Sequence, residues 1–132
     1  MKIVVLKFGG TSVGTIEKIK KVTDIIIEHK KKKNKVIVVS SAMSGVTNDL
    51  IKKSKQISNN FIDSEYDVLV SSGEQVACSL IAGRLNHKGF KSRSWLGWQI
   101  PIFTNGPYTN SRIQQVNKNK LSRFLKEGGI PI

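Results

Sequence analysis

Cysteine is almost missing from this 132-residue sequence: Cys78 stands alone. An internal disulfide framework is therefore excluded, and a reducing, cytoplasmic setting is expected. Long apolar runs are missing too. None approaches the roughly 20 residues that cross a bilayer. The opening MKIVVLKFGG carries only a short apolar stretch and no small-residue cleavage site, so neither a membrane span nor a signal peptide is expected. Histidine is limited to His29 and His87, both at lysine-rich segment ends, so no Ser-His-Asp arrangement is available. Cys and His show no metal-ligand spacing, and no metal site is expected. Internal repeats and Pro/Ser-rich linkers are also lacking, and the length suits one domain.

Acidic residues are scarce. Nine Asp+Glu stand against 22 Lys+Arg, a net charge of +13. Such an excess suits nucleic acid or a phosphorylated ligand, or simply a lysine-rich solvated surface. Aromatics make up only 7% and are not interleaved with the lysines, which weakens a single-strand-binding reading.

What is present is an alternation of strand-like and helix-like segments, the pattern of an α/β fold. IVVLKF (3–8) reads as a strand buried on both faces of a parallel sheet. Ile16, Ile19, Val22 or Thr23, and Ile26 recur at helical spacing, with Thr15 as N-cap and lysines 30–33 complementing the negative end of the helix. VIVVS (36–40) is a second buried strand, followed by a helix over about 46–57, a loop over 58–64 and a long helix over about 65–87. Residues 90–96 are strand-like, 98–105 hold a short apolar piece, and GPYTNSR is a turn-rich loop. Asn117 is expected to cap a helix reaching Glu127, and Gly128-Gly129 ends it. The following IPI (130–132) resembles the first residues of another buried strand. A strand that short would bury little alone, so the expectation is the front part of a larger α/β domain.

Three stretches have the composition of ligand-binding loops. KFGGTSVG (7–14) is strand, glycine turn, helix, the arrangement that presents backbone N–H groups to an anion. Lys7 adds a fixed positive charge, and Thr11 and Ser12 add hydroxyl donors. The stretch is neither a Walker A loop nor a dinucleotide fingerprint, and an ordinary strand-to-helix turn also fits it. SSAMSGVTND (40–49) lies between the next strand and helix, and two such loops at the ends of parallel strands face one crevice. Its hydroxyls can equally cap the helix through Ser44 or Thr47. SSGEQVA (71–77) places Glu74 beside Gly73 in an apolar helical segment. This turn reads as loose, as if a ligand approached its backbone, with Glu74 accepting from an ammonium group or simply solvated. Cys78 reads as a small buried packing residue.

Taken in order, KFGGTSV, SSAMSGVTN and SSGEQVA, followed by LGWQ (96–99) and NSRI (110–113), resemble aspartate kinase of the amino-acid kinase superfamily. The resemblance covers essentially the whole chain. It implies a three-layer α/β sandwich with a mainly parallel sheet, here truncated. It also implies phosphoryl transfer from MgATP to the side-chain carboxylate of L-aspartate, the entry to lysine, threonine and methionine biosynthesis. ATP is then the co-substrate, and Mg2+ comes with the nucleotide. By similarity Lys7 neutralises charge on the phosphoryl group, and Phe8, Gly9 and Gly10 belong to the phosphate turn. Thr11, Ser12 and Ser41 add hydroxyl contacts. Thr47 and Glu74 hold aspartate. Arg112 either helps with the substrate or serves only the local fold.

The sequence also departs from the family. A complete kinase domain of this kind runs to about twice this length, within ordinary single-domain sizes. Its Gly-rich second half, most of its adenine pocket and its regulatory domains have no counterpart here. Thr109-Asn110-Ser111-Arg112 stands where the family often has Gly-Asn-Ala-Arg. Residues 1–132 are thus expected to be the N-terminal portion of a catalytic domain, with little activity alone. A homo-oligomer is the expectation at full length, with no membrane and no nucleic-acid partner. Two rival readings stand beside it: a basic nucleic-acid-binding module, and a non-catalytic half that pairs with a separate second half.

Overall fold

The computed structural model describes residues 2–132. Strand β1 (Ile3–Phe8) leads through a 3-10 turn (Gly10–Val13) into helix α1 (Ile16–Lys31) and strand β2 (Lys35–Ser40). Helices α2 (Val46–Ile57) and α3 (Asp63–His87) follow. The remainder is β3 (Ser92–Arg93), β4 (Ile102–Asn105), β5 (Arg112–Val116), α4 (Asn119–Lys126) and β6 (Ile130–Pro131).

β1 and β2 run parallel, in register from Ile3 opposite Lys35 to Phe8 opposite Ser40. Parallel neighbours need a crossover, and α1 supplies it. Its start follows from Thr15, whose hydroxyl accepts the Lys18 N–H at 3.2 Å. Its buried residues Ile19, Val22, Thr23 and Ile26 form one stripe at helical spacing. That stripe packs with Val36 and Val38 of β2 and with Cys78, Ile81, Ala82 and Leu85 of α3 to make the core. One polar tie crosses it. The buried Thr23 hydroxyl donates to the Lys20 carbonyl (2.7 Å) and accepts from Arg84 Nε (2.8 Å), while Arg84 also meets Asp24 at 3.6 Å.

The strand pair is buried on one face only. Ile3 is 56% and Val5 60% exposed, so the expectation of double burial for β1 fails. Alternation explains it: Leu6 and Phe8 turn toward the helices, and Ile3, Val5 and Lys7 turn the other way. The open side, which also carries Val39, is where a further layer of a three-layer sandwich would sit.

The IPI segment is not left loose. β6 pairs in parallel with β3, Ile130 N–H donates to the Lys91 carbonyl, and Trp95 N–H donates to the Ile132 carbonyl. Ile130 and Ile132 are both buried, so this short strand contributes more to the core than its length suggests. The hairpin β4–β5 is a second correction. It is antiparallel, with a register shift between Phe103 and Thr104, where the sequence suggests only an apolar piece and a loop. Its strands are solvent-exposed throughout, so hydrophobic patterning carries no trace of them. Helix α4 begins one residue later than expected, with Lys118 at the N-cap position, although Asn117 Oδ1 does accept the Asn119 N–H (3.1 Å).

Leu85 is fully buried on α3. Leu85→Ala is expected to lower stability by about 2–5 kcal/mol in urea unfolding, because the site cannot collapse around the lost atoms.

Candidate functional site

The first loop leaves β1 through Gly9, which is extended, and closes a 3-10 turn when Ser12 N–H donates to the Gly9 carbonyl (2.9 Å). The adjacent glycines have different reasons to be there. A Cβ on Gly9 would meet nothing within 4 Å, so its side of the backbone is open. A Cβ on Gly10 would lie 3.0 Å from the Ala42 carbonyl, so Gly10 lets the second loop approach. Gly14 does the same for Ser44, whose Cβ would lie 3.0 Å away.

The second loop is tied to the first when Ser41 N–H donates to the Phe8 carbonyl (3.0 Å). It enters α2 through Gly45, whose φ of 84° is left-handed and suits glycine. No side chain caps this helix, so Ser44 and Thr47 are not spent on capping. The third stretch lies inside α3, which is regular there. The looseness expected of SSGE is absent. Gly73 is instead a packing glycine: a Cβ on it would lie 2.9 Å from Ala42 Cβ and 3.2 Å from Val46 Cγ1. One turn of α3 is thereby pressed onto the second loop. Glu74, next along, accepts the Ala42 N–H through Oε1 at 3.2 Å. An ionised carboxylate has about four acceptor positions, so this single bond leaves capacity for a ligand.

The three motifs thus converge on Ala42, which is 4% exposed. Gly10 approaches its carbonyl, Gly73 its methyl group, and Glu74 accepts a hydrogen bond from its N–H. Thr11, Ser12 and Ser41 lie on these loops and Thr47 in the first turn of α2, with Thr11 and Ser12 exposed and Ser41 and Thr47 half-buried. Lys7 is exposed on the open face of β1. It makes no ion pair among the described residues, which hold Arg84–Asp24 and Lys91–Glu127.

Arg112 lies apart, exposed on β5 opposite Asn105. Its hairpin is pinned to α3 by the Thr109 N–H donating to Asp67 (2.9 Å), about two helical turns before Glu74. No hydrogen bond joins Arg112 to the three loops among the described residues. Lys18 is a residue to which the sequence alone assigns no role at the glycine turn. Its Nζ donates to the Thr11 carbonyl at 2.9 Å, beside a cavity of about 280 Å³ that Thr11, Ser12 and Lys21 also line. The available signal was its position in the first turn of α1, which faces the glycine turn.

A larger, mostly apolar cavity of about 550 Å³ lies against Ser40, Glu74 and Cys78. Burial pushes the Cys78 thiol above its ordinary pKa, and the nearby Glu74 charge adds to the effect. Among the described residues no group of three or more His, Cys, Asp or Glu side chains could hold a metal ion. Among the described residues no helix is long and apolar enough to cross a membrane.

The model of the amino acid kinase family matches residues 2–132. The chain belongs to that family. The aspartokinase of Geobacillus stearothermophilus is 46% identical over the whole chain, and the aspartate kinase of Pseudomonas putida 41%. In each case the chain spans 32% of the relative's length. Among solved structures, the aspartate kinase of Synechocystis superposes with a TM-score of 0.84 at 34% identity, over 98% of this chain and 21% of that one. Aspartokinase III of E. coli, solved with aspartate and ADP, has the same fold at a TM-score of 0.80 and 19% identity, over 99% of this chain and 40% of that one. This family member therefore has the α/β architecture and parallel strands of aspartate kinase structures.

Two measurements check the geometry. Gly73→Val is expected to cost about 1–3 kcal/mol in unfolding experiments, since no space is open for the added methyl groups. Alkylation of Cys78 by iodoacetamide is expected to need a higher pH than an ordinary thiol. Its raised pKa leaves less thiolate at neutrality, and the difference should vanish once the protein is unfolded.

Proposed function

We propose that the protein containing this chain is an aspartate kinase. It transfers the γ-phosphoryl group of ATP to the side-chain carboxylate of L-aspartate. The carboxylate oxygen forms the new P–O bond, the bond to the β-phosphate oxygen breaks, and the products are ADP and 4-phospho-L-aspartate. The observation that carries the proposal is the meeting of the three motifs at Ala42, which sets a phosphate-type turn beside a carboxylate-bearing helix. Relatives named aspartokinase and a solved relative holding aspartate and ADP support the same chemistry.

The chemistry asks little covalent work of the protein. An aspartate side chain has an ordinary pKa near 3.9 and is already ionised at neutral pH, so no general base is needed. Rate acceleration then comes from positioning and from stabilising charge on the phosphoryl group. In this reading the Gly9 and Gly10 amides, with Phe8 at the strand end, cradle phosphate, and Lys7 neutralises developing charge. Thr11, Ser12 and Ser41 add hydroxyl contacts. Thr47 and Glu74 hold the amino acid, Glu74 through the ammonium group. Arg112 takes a supporting place at most. Mg2+ would come with the nucleotide and supply charge neutralisation there, while the residues above hold the phosphates.

The proposal takes residues 1–132 as the N-terminal portion of the catalytic domain, in line with the share of its relatives that the chain spans. It places the enzyme in the cytoplasm as a homo-oligomer, at the entry to lysine, threonine and methionine biosynthesis.

Lys7→Ala is expected to lower kcat by about 10²–10³-fold, the usual effect of deleting one group that stabilises transition-state charge. ADP release in the presence of aspartate measures it. The melting temperature should stay unchanged, because Lys7 is exposed and makes no ion pair among the described residues. Unchanged turnover would remove Lys7 from the mechanism.

A further inference from the structure

Both tryptophans of the chain line a cavity between the segment after β3 and α4, and both also border the cavity beside Ser40 and Glu74, which adjoins it. The former cavity measures about 590 Å³, and its walls include Arg93, Trp95, Trp98, Lys120, Arg123 and Phe124. That volume lies within the usual range for small-molecule sites, roughly 300–1,000 Å³. β3 and the loop after it bring the tryptophans, and α4 brings Lys120, Arg123 and Phe124. The scarcity of aromatics in the sequence therefore conceals a local concentration of them.

The aromatic groups are already ordered. Trp95 and Phe124 meet edge to face with centroids 5.7 Å apart. The Arg93 guanidinium lies 4.7 Å from the Trp95 ring centroid, and Lys91 Nζ lies 5.3 Å from that of Phe124. These are favourable cation–aromatic contacts, and they hold the wall in shape. Trp98 is different: it is 68% exposed, unusual for so large an apolar ring. The charge is also unbalanced. Glu127 is the one acid lining the cavity, and Lys91 already binds it at 2.8 Å. Lys120 and Arg123 make no ion pair among the described residues. Trp95 Nε1 is closed to solvent and has no acceptor, a costly state for a donor.

We propose that this cavity is a nucleotide-binding site separate from the loops around Ala42. An aromatic base stacks on Trp98, and phosphate is held by Arg123 and Lys120. Exposed aromatic faces joined to unpaired cations are the chemistry that binds a base and its phosphate without reading sequence. A free mononucleotide and a single-stranded nucleic acid both present that chemistry.

The test titrates the protein with AMP and, separately, with a short oligothymidylate, following tryptophan fluorescence and its loss in Trp98→Phe. Saturable quenching is expected, weakened about tenfold by Trp98→Ala and by Arg123→Ala. Both residues are solvent-exposed, so an unchanged circular dichroism spectrum and melting temperature will show the variants folded. Tighter binding of AMP identifies a free nucleotide as the ligand. Tighter binding of the oligothymidylate, with a steep salt dependence, identifies a single strand. Lys7→Ala should leave this binding intact while impairing phosphoryl transfer, so failure of either site is read separately. Absence of quenching by both probes at millimolar concentration, or equal affinity in the folded variants, would overturn the proposal.

Discussion

Close backbone approach around Ala42 is the constraint on which the candidate site depends. The first loop and α3 come so near the second loop that a Cβ on Gly10 would crowd the Ala42 carbonyl at 3.0 Å and one on Gly73 would clash with the Ala42 Cβ at 2.9 Å. Glycine in a helix interior costs up to about 1 kcal/mol relative to alanine, so Gly73 is retained against local preference. The return is geometric. Without that approach the Glu74 carboxylate could not reach the Ala42 amide, and the helix carrying it would stand away from the phosphate turn. Local disadvantage offset by tertiary fit is common where a fold positions chemistry rather than merely packing.

The α/β pattern was legible because β1, α1 and β2 each follow a simple periodicity, with Thr15 marking the start of α1. The long helix was legible from its glycine stop after Lys88, and the three motifs from their composition rather than from any periodicity. Other features depend on partners distant in sequence. Glu74 looks like an acid in an apolar helix until Ala42, 32 positions away, appears beside it. Gly73 looks like a weak point until the second loop fills the space above it. The hairpin β4–β5 has no buried face, so its Ile102, Phe103, Ile113 and Val116 show no alternation between core and solvent that would mark paired strands. Double burial of β1 was a misreading of a different kind. A run of Ile, Val and Leu shows that a strand can be buried on both faces, but the layers around it decide whether it is.

The excess of cations resolves into separate local roles. Arg84 bridges Thr23 and Asp24 between α1 and α3. Lys18 braces the glycine turn through the Thr11 carbonyl. Lys30 lies partly buried near Lys35, and desolvation followed by that like charge pulls its pKa down. Arg93 and Lys91 lie against aromatic rings rather than acids. A net charge of +13 therefore describes several unrelated environments, and only some of them leave a cation free to meet an anion.

β6 adds a temporal consequence. Ile130 and Ile132 belong to the same core as Val36, Ile81 and Leu85, yet they follow all of those residues in the chain. Translation proceeds from the N-terminus, at about 5–20 residues per second. Until residues 130–132 have been made, α1, α3 and β2 can associate only around a missing wall. The nascent chain then holds an apolar gap that closes when residues 130–132 emerge and zip against β3.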